Sequence, residues 1–312
     1  MAMPLAREWV GIQQFPVATQ NKLVELLGKL KGENVDTLTI LVMGKGGVGK
    51  SSTVNSLLGE RVAAVSAFQS EGLRPMMCSR TRAGFTLNII DTPGIVEGGY
   101  INEQALDIIK RFLLNKTIDV LLFVERLDAY RVDSLDKQVV KSITETFGKA
   151  IWNRSVLVLT HAQLSPPDGL SYEDFFTRRS DTVLRYMCLG AGIRRKEFVA
   201  NPIPVVLVEN SGRCRTNELG EKVLPDGTTW IPNLVKVIVE VVSNGSEPIV
   251  VDQKLIDGPN PNNWGKRFIP LILAFQYLFV IKSIKGSIQK DMESERIPAW
   301  ELRDRGLAKG KF

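Results

Sequence analysis

Histidine occurs once in this chain of 312 residues and cysteine three times. Cys78, Cys188 and Cys214 are odd in number, far apart and without metal-ligand spacing, so they make neither a disulfide framework nor a metal site and read as reduced thiols of a cytosolic compartment. The N-terminus lacks an apolar stretch of the signal-peptide kind, and Glu8 argues against a transit peptide, so any membrane targeting has to come from elsewhere in the chain. Neither sign of charge dominates, with 40 Lys and Arg against 34 Asp and Glu. The net +6 is mild, and the denser cations from Arg178 to Lys196 are too few to argue for nucleic acid, leaving an anionic membrane surface or partner open. The length is ample for one large α/β domain with appendages.

What is present is a complete phosphate loop, Gly44-Lys45-Gly46-Gly47-Val48-Gly49-Lys50-Ser51. It follows the β-branched and apolar run Leu38 to Met43 and opens onto the helical spacing of Ser52 to Leu58, so it reads strand, glycine loop, helix. The glycines let successive N–H groups curl around a β-phosphate at the positive end of the helix. The expected phosphate contacts are Lys45, Gly46, Gly47, Val48, Gly49, Lys50, Ser51 and Ser52. Lys50 is the catalytic cation at the β- and γ-phosphates, and Ser51 is a ligand of Mg²⁺.

From the N-terminus, the spacing predicts a helix capped by Thr19 and running to about Leu30, with Leu23, Leu26, Leu27 and Leu30 on one face. Phe68 to Pro75 reads as a polar loop in the position of a GTPase's first switch. Ser66, Ser70 and Thr81 are the hydroxyls available to Mg²⁺ or the γ-phosphate, and spacing does not choose among them. The site assignment places Ser66 with Ser51 and Asp91 on Mg²⁺, and Ser66 and Gln69 among the nucleotide contacts. A strand from Gly84 to Ile90 ends in Asp91-Thr92-Pro93-Gly94, where Asp91 can hold Mg²⁺ through water and the Gly94 N–H can meet the γ-phosphate. Helices over Leu106–Leu114, Leu135–Phe147, Tyr172–Met187 and Ile231–Val242 alternate with strands at Val120–Val124, Val156–Thr160 and Val205–Val208. That alternation predicts an α/β fold, a mainly parallel sheet with helices on both faces and the ligand at the carboxyl ends of the strands.

Most G domains read guanine with an N-K-x-D or T-K-x-D stretch, but here that place holds Thr160-His161-Ala162-Gln163. A carboxylate remains the natural acceptor for two adjacent donors, and the next strand supplies Glu209, followed by Asn210. Glu209 is therefore expected on the guanine edge and His161 over the base face. Ile95 stands where Ras-type proteins place the glutamine that orients water, so slow turnover is expected. Lys45 to Lys50 also matches the deviant phosphate loop of partitioning ATPases. Asp91-Thr92-Pro93-Gly94 coming only two strands later favours a GTPase over that reading and over a scaffold that barely turns its nucleotide over.

Taken together, GKGGVGKSSTVNSLLGE, GFTLNIIDTPGIVEGGYIN, RLDAYRVD, LTHAQLSPP and ENSGRC resemble the smaller GTPase receptor of the chloroplast outer-envelope translocon, in the Toc import GTPase family. The likeness runs from about Arg7 to at least Lys285. It implies a GTP-hydrolysing, septin-like G domain with Mg²⁺, facing the cytosol and tail-anchored in the outer envelope. It further implies binding of preprotein transit peptides, a larger receptor GTPase and a β-barrel channel as partners, and a homodimer with Arg126, Tyr130 and Arg131 at the interface. In the family the counterparts of His161 and Glu209 contact the base, and the arginine at the Arg131 position reaches the partner's nucleotide, which makes Arg131 a second candidate catalytic cation.

The carboxyl end agrees with such an anchor. A breaker-rich linker, Asp257 to Asn263, precedes the uncharged stretch Phe268 to Ile281, flanked by Lys266, Arg267, Lys282 and Lys285. As a helix it is about 21 Å long, so on length alone a buried or interfacial helix competes with a span, while snorkelling cations with Trp264 at the interface can extend it. The expected organisation is an N-terminal helix segment 1–36, a G domain 37–243, a linker 244–265, a single membrane helix 266–285 and a tail 286–312.

Overall fold

The computed structural model describes residues 6–65, 74–167, 169–245, 247–251, 270, 273 and 275–294. The chain divides into two units, residues 1–256 and 257–312.

The first unit is built on β2 (Thr37–Gly44), in which every residue after Thr37 is buried. A strand that apolar on both faces needs cover on both sides. It lies at the centre of a seven-stranded sheet in the order β1-β3-β4-β2-β8-β9-β10. The others are β1 (Arg7–Glu8), β3 (Met76–Arg82), β4 (Phe85–Asp91), β8 (Val120–Arg126), β9 (Ser155–Thr160) and β10 (Val205–Leu207). All neighbours run parallel except β3, which is antiparallel to β4 with Met76 opposite Asp91. The β3–β4 turn uses Ala83 and Gly84 at φ 50° and 75°, the left-handed pair that suits a two-residue hairpin.

Helices cover both faces. α1 (Val17–Gly32), α2 (Lys50–Leu58) and α7 (Trp230–Asn244) enclose Leu38, Ile40, Leu87 and Ile89 on one side. α3 (Glu103–Leu113), α4 (Ser134–Phe147), α5 (Tyr172–Ala191) and the short α6 (Arg195–Ala200) complete the set, with α4 lying along α5. Three two-stranded ribbons sit outside the main sheet: β5 (Val96–Glu97) with β6 (Tyr100–Ile101), β7 (Thr117–Ile118) with β13 (Ile249–Val250), and β11 (Arg215–Thr216) with β12 (Lys222–Val223).

The expected cap at Thr19 is not there. α1 begins at Val17, directly after Pro16, and Thr19 instead donates its hydroxyl to Glu221 Oε1 at 3.0 Å. Proline's fixed φ starts the helix without a side-chain acceptor. Leu23, Leu26, Leu27 and Leu30 do form its buried face. The N-terminal segment also contributes β1 to the main sheet, and Trp9 donates its indole N–H to Leu58 O at 2.8 Å. A two-residue strand carries no period to read.

In the second unit, Gln276–Ile281 is a π-helical turn leading into the helix Lys282–Ser294. Among the described residues no helix is long and apolar enough to cross a membrane. Much of the expected anchor at 266–285 lies outside the described residues.

Candidate functional site

The phosphate loop leaves β2 through glycines that no other residue could replace cheaply. Gly44 approaches so closely that a Cβ there would lie 2.3 Å from Val124 O, and Gly47 and Gly49 sit at φ 72° and 97°. Gly49 caps α2, so the helix opens with Lys50 and Ser51 at its positive end. Lys50 is buried and its ammonium donates to Lys45 O at 2.7 Å. The Ser51 hydroxyl donates to Asp91 Oδ2 at 2.5 Å across the β2–β4 seam. Two hard oxygen donors, one anionic, suit Mg²⁺ completed by phosphate oxygens and water. No cluster of three or more histidine, cysteine, aspartate or glutamate side chains able to hold a metal occurs among the described residues.

Gly94 follows on the same loop. Ile95 is wholly buried, with its N–H donating to Gly44 O at 3.4 Å, so its side chain faces the core rather than a water beside a γ-phosphate. Ser66, Ser70 and Gln69 lie outside the described residues.

At the other end of the site, Thr160 closes β9 and donates its hydroxyl to Val48 O at 2.7 Å, tying the strand end to the phosphate loop. His161 adopts φ 59°, and its Nδ1 lies 3.0 Å from Thr160 Oγ1. Glu209 is buried; its Oε2 accepts the Gln163 N–H and its Oε1 the Ser211 N–H, each at 2.8 Å. Each carboxylate oxygen thus keeps lone-pair capacity for one further donor. Asn210 Nδ2 donates to Thr53 Oγ1 at 3.0 Å. Asn210 Oδ1 and Gln163 Oε1 are buried with no hydrogen-bond partner among the described residues, a cost in a closed protein that an incoming donor would relieve. A cleft of about 780 Å³, lined by Ser52, Asn55, Glu60 and Asn210, opens beside α2.

The RLDAYRVD stretch follows β8. Arg126 grips Asp128 bidentately at 2.7 and 2.8 Å. Tyr130 is 66% exposed, its ring edge-on to Phe175 at 5.7 Å between centroids. Arg131 is exposed, and its guanidinium has no hydrogen bond or ion pair among the described residues. Arg179, buried on α5, donates to the carbonyls of Arg126 (3.1 and 3.3 Å) and Arg131 (3.2 Å).

Lys45 also makes contacts that spacing did not predict. Its carbonyl serves Lys50, but its ammonium turns away to Asp136 on α4 and to Glu125, 3.6 Å off at the end of β8. Burial works against the Lys45 charge, yet Glu125 and Asp136 outweigh it and raise its pKa. Burial pushes Glu125 up to about 7, against the pull of Lys45. Sequence reasoning missed Glu125, Asp136 and Arg179. The available signal was Glu125 itself, an acid ending the apolar run Val120 to Val124.

Residues 38–228 match the model of the AIG1 family. Translocase of chloroplast 34 of Arabidopsis thaliana is 63% identical over 98% of both chains. The crystal structure of Toc33 from Arabidopsis thaliana with GDP and Mg²⁺ is 62% identical, covers 78% of this chain and all of its own, and superposes with TM-score 0.76. A further solved structure, described by the statement that dimerization is important for the GTPase activity of the chloroplast translocon components atToc33 and psToc159, is 62% identical over 79% of this chain and 99% of its own, TM-score 0.77.

Proposed function

This chain belongs to the AIG1 family, and we propose from its site that it is a GTPase and from its relatives that it is a small receptor of the chloroplast import translocon, at the outer envelope. The observation that carries this is the convergence of Lys50, Ser51 and Asp91 at one end of a parallel sheet whose neighbouring strand ends present Glu209 and His161. The chain binds GTP and GDP with Mg²⁺ and hydrolyses GTP. Loop amides and Lys50 hold the phosphates, and Ser51 and Asp91 hold the metal, which bridges and neutralises phosphate oxygens when bound. Glu209 accepts from the guanine N1–H and amino group while it braces two loop amides, and His161 lies beside the base.

Ile95, at the position where a water-orienting glutamine would stand, is in the core. Turnover by one protomer is therefore slow. Arg131, carried on the exposed loop after β8, serves a second copy: two G domains face each other across their nucleotides, with Tyr130 and Arg126 alongside. The larger receptor GTPases and a β-barrel channel are its other partners, preprotein transit peptides its cargo, and a C-terminal anchor keeps the G domain on the cytosolic side.

The test is sedimentation with GDP and Mg²⁺ alongside single-turnover GTP hydrolysis. Arg131→Ala should leave the protein monomeric with monomer nucleotide affinity intact, and slow hydrolysis far less than the roughly 10³–10⁵-fold of an arginine finger. Equal dimer fractions at matched concentration would remove Arg131 from the interface.

A further inference from the structure

Lys45 of the phosphate loop sits in a cluster spanning three elements. Its ammonium is held by Asp136, the third residue of α4, and by Glu125 at the end of β8. Asp136 has a second duty. Its Oδ2 accepts the Asp133 N–H at 2.8 Å, while Asp133 Oδ1 accepts from Leu135 and Asp136, a reciprocal capping box that fixes where α4 begins. Asp133 is two residues beyond Arg131. On the other side of the same loop, Leu127 is buried and donates its N–H to Thr160 O at 2.9 Å, and Arg179 ties Arg126 O to Arg131 O. The segment carrying Tyr130 and Arg131 is thus anchored at both ends, and its α4 end is anchored to the phosphate loop through one cation.

We propose that Lys45 is a positioning residue for the dimer: through Asp136 and the α4 cap it couples the phosphate loop to the 127–133 loop and holds Arg131 ready for a second copy of this chain. This rests on the homodimer reading above. The physical reason is that the ammonium cannot leave without stranding buried carboxylates. Glu125 is 2% exposed and its Oε1 already has no hydrogen-bond partner among the described residues, so a displacement of the phosphate loop carries Asp136 with it rather than breaking the contact. A loop ordered in advance loses less freedom on association than one ordered by it. Phosphate-loop displacement therefore changes dimer affinity with no contact between Lys45 and the partner.

The test is a double-mutant cycle on the full chain with GDP and Mg²⁺, read by sedimentation, using Lys45→Met, Asp136→Asn and the pair. Each single change should weaken the dimer about tenfold and the pair little more than either alone, because both remove one link. Lys45→Arg, which keeps the charge, should restore most of the affinity. Asp136→Asn should leave monomer affinity for GDP within about twofold. Hydrogen exchange of residues 126–133 should rise in both single variants. Additive losses, or a loss of monomer GDP affinity in Asp136→Asn as large as the loss of dimer affinity, would overturn the link. Wild type that stays monomeric would defeat the dimer reading instead. The link would then stand or fall on the exchange of 126–133, and unchanged exchange in Lys45→Met and Asp136→Asn would refute it. If Lys45→Met does not fold, Lys45→Gln, which also removes the charge, takes its place in the cycle, and Lys45→Arg remains the restoring control.

Discussion

Glu209 braces two loop amides, and in the proposed reading it also meets the guanine edge, so its substitution should show both. Glu209→Gln keeps one acceptor oxygen and turns an amino group toward either the Gln163 or the Ser211 N–H, donor against donor. Losing hydrogen bonds to a charged group costs about 1.5–3 kcal/mol, so GDP affinity should fall by about tenfold or more and nucleotide-free melting should fall with it. An unchanged GDP affinity alongside lower melting would make Glu209 a loop brace alone. Glu125 gives a pH test. Its carboxyl is held at about 7 in the fold against 4.5 unfolded, so between those values the folded state binds more protons and stability falls as pH rises. The size is on the order of 3 kcal/mol from pH 4.5 to 7. Urea unfolding of Glu125→Gln should lose that slope relative to wild type; parallel pH curves would refute it. The meeting of Lys50, Ser51 and Asp91 at one strand end was legible, because a glycine loop between strand and helix and an acid ending the next strand are local patterns. The second duty of Glu209 was not, because its partner amide lies 46 positions away, and the turn of Lys45 toward α4 depends on a carboxylate 91 positions on.

At the scale of elements, long periodic segments were readable and short ones were not. α3, α4, α5 and α7 occur where apolar spacing predicts them, with bounds shifted by up to four residues, and α3, α4 and α5 begin on the side-chain caps Asn102, Asp133 and Ser171. The β3–β4 hairpin escaped because Ser79, Arg80 and Thr81 carry no alternation, Arg80 being buried only by its pairing with Glu60. How closely helices approach is also invisible in one sequence, and two glycines show it. Gly190 on α5 faces α4 so tightly that a Cβ would lie 2.7 Å from Lys137 O and 2.8 Å from Val140 Cβ. Alanine there gains about 1 kcal/mol of helix propensity but overpacks against backbone at about 1–3 kcal/mol, so Gly190→Ala should lower the unfolding midpoint. Gly28 on α1 has nothing within 4 Å of the same added atom, and Gly28→Ala should raise it by roughly 0.5–1 kcal/mol. Calorimetry of both variants decides the pair, and a stabilised Gly190→Ala would mean that α4 and α5 yield.

For the whole molecule, the question is what surrounds the carboxyl end. Leu273, Phe275, Tyr277, Phe279 and Ile281 are 44–64% exposed, and burying a large apolar side chain is worth about 1.5–3 kcal/mol. Five such side chains in one short run call for an apolar phase. The uncharged stretch is 14 residues, Phe268 to Ile281, about 21 Å as a helix against a hydrocarbon core near 30 Å. Arg267 and Lys282 have stems long enough to carry their charges outward from either end, and the bilayer can thin to meet a short helix at a fraction of a kcal/mol per ångström. A spanning anchor is therefore affordable, whereas an interfacial helix would leave half of the same run in water. The phosphate loop, Asp91 and Glu209 all belong to the first unit, which ends at Ile256. Deleting residues 257–312 should leave a soluble protein that binds GTP as the full chain does. The full chain should stay with outer-envelope vesicles through alkaline carbonate, and protease added outside should remove the G domain. If carbonate releases the intact protein, the carboxyl end lies on the membrane and does not cross it.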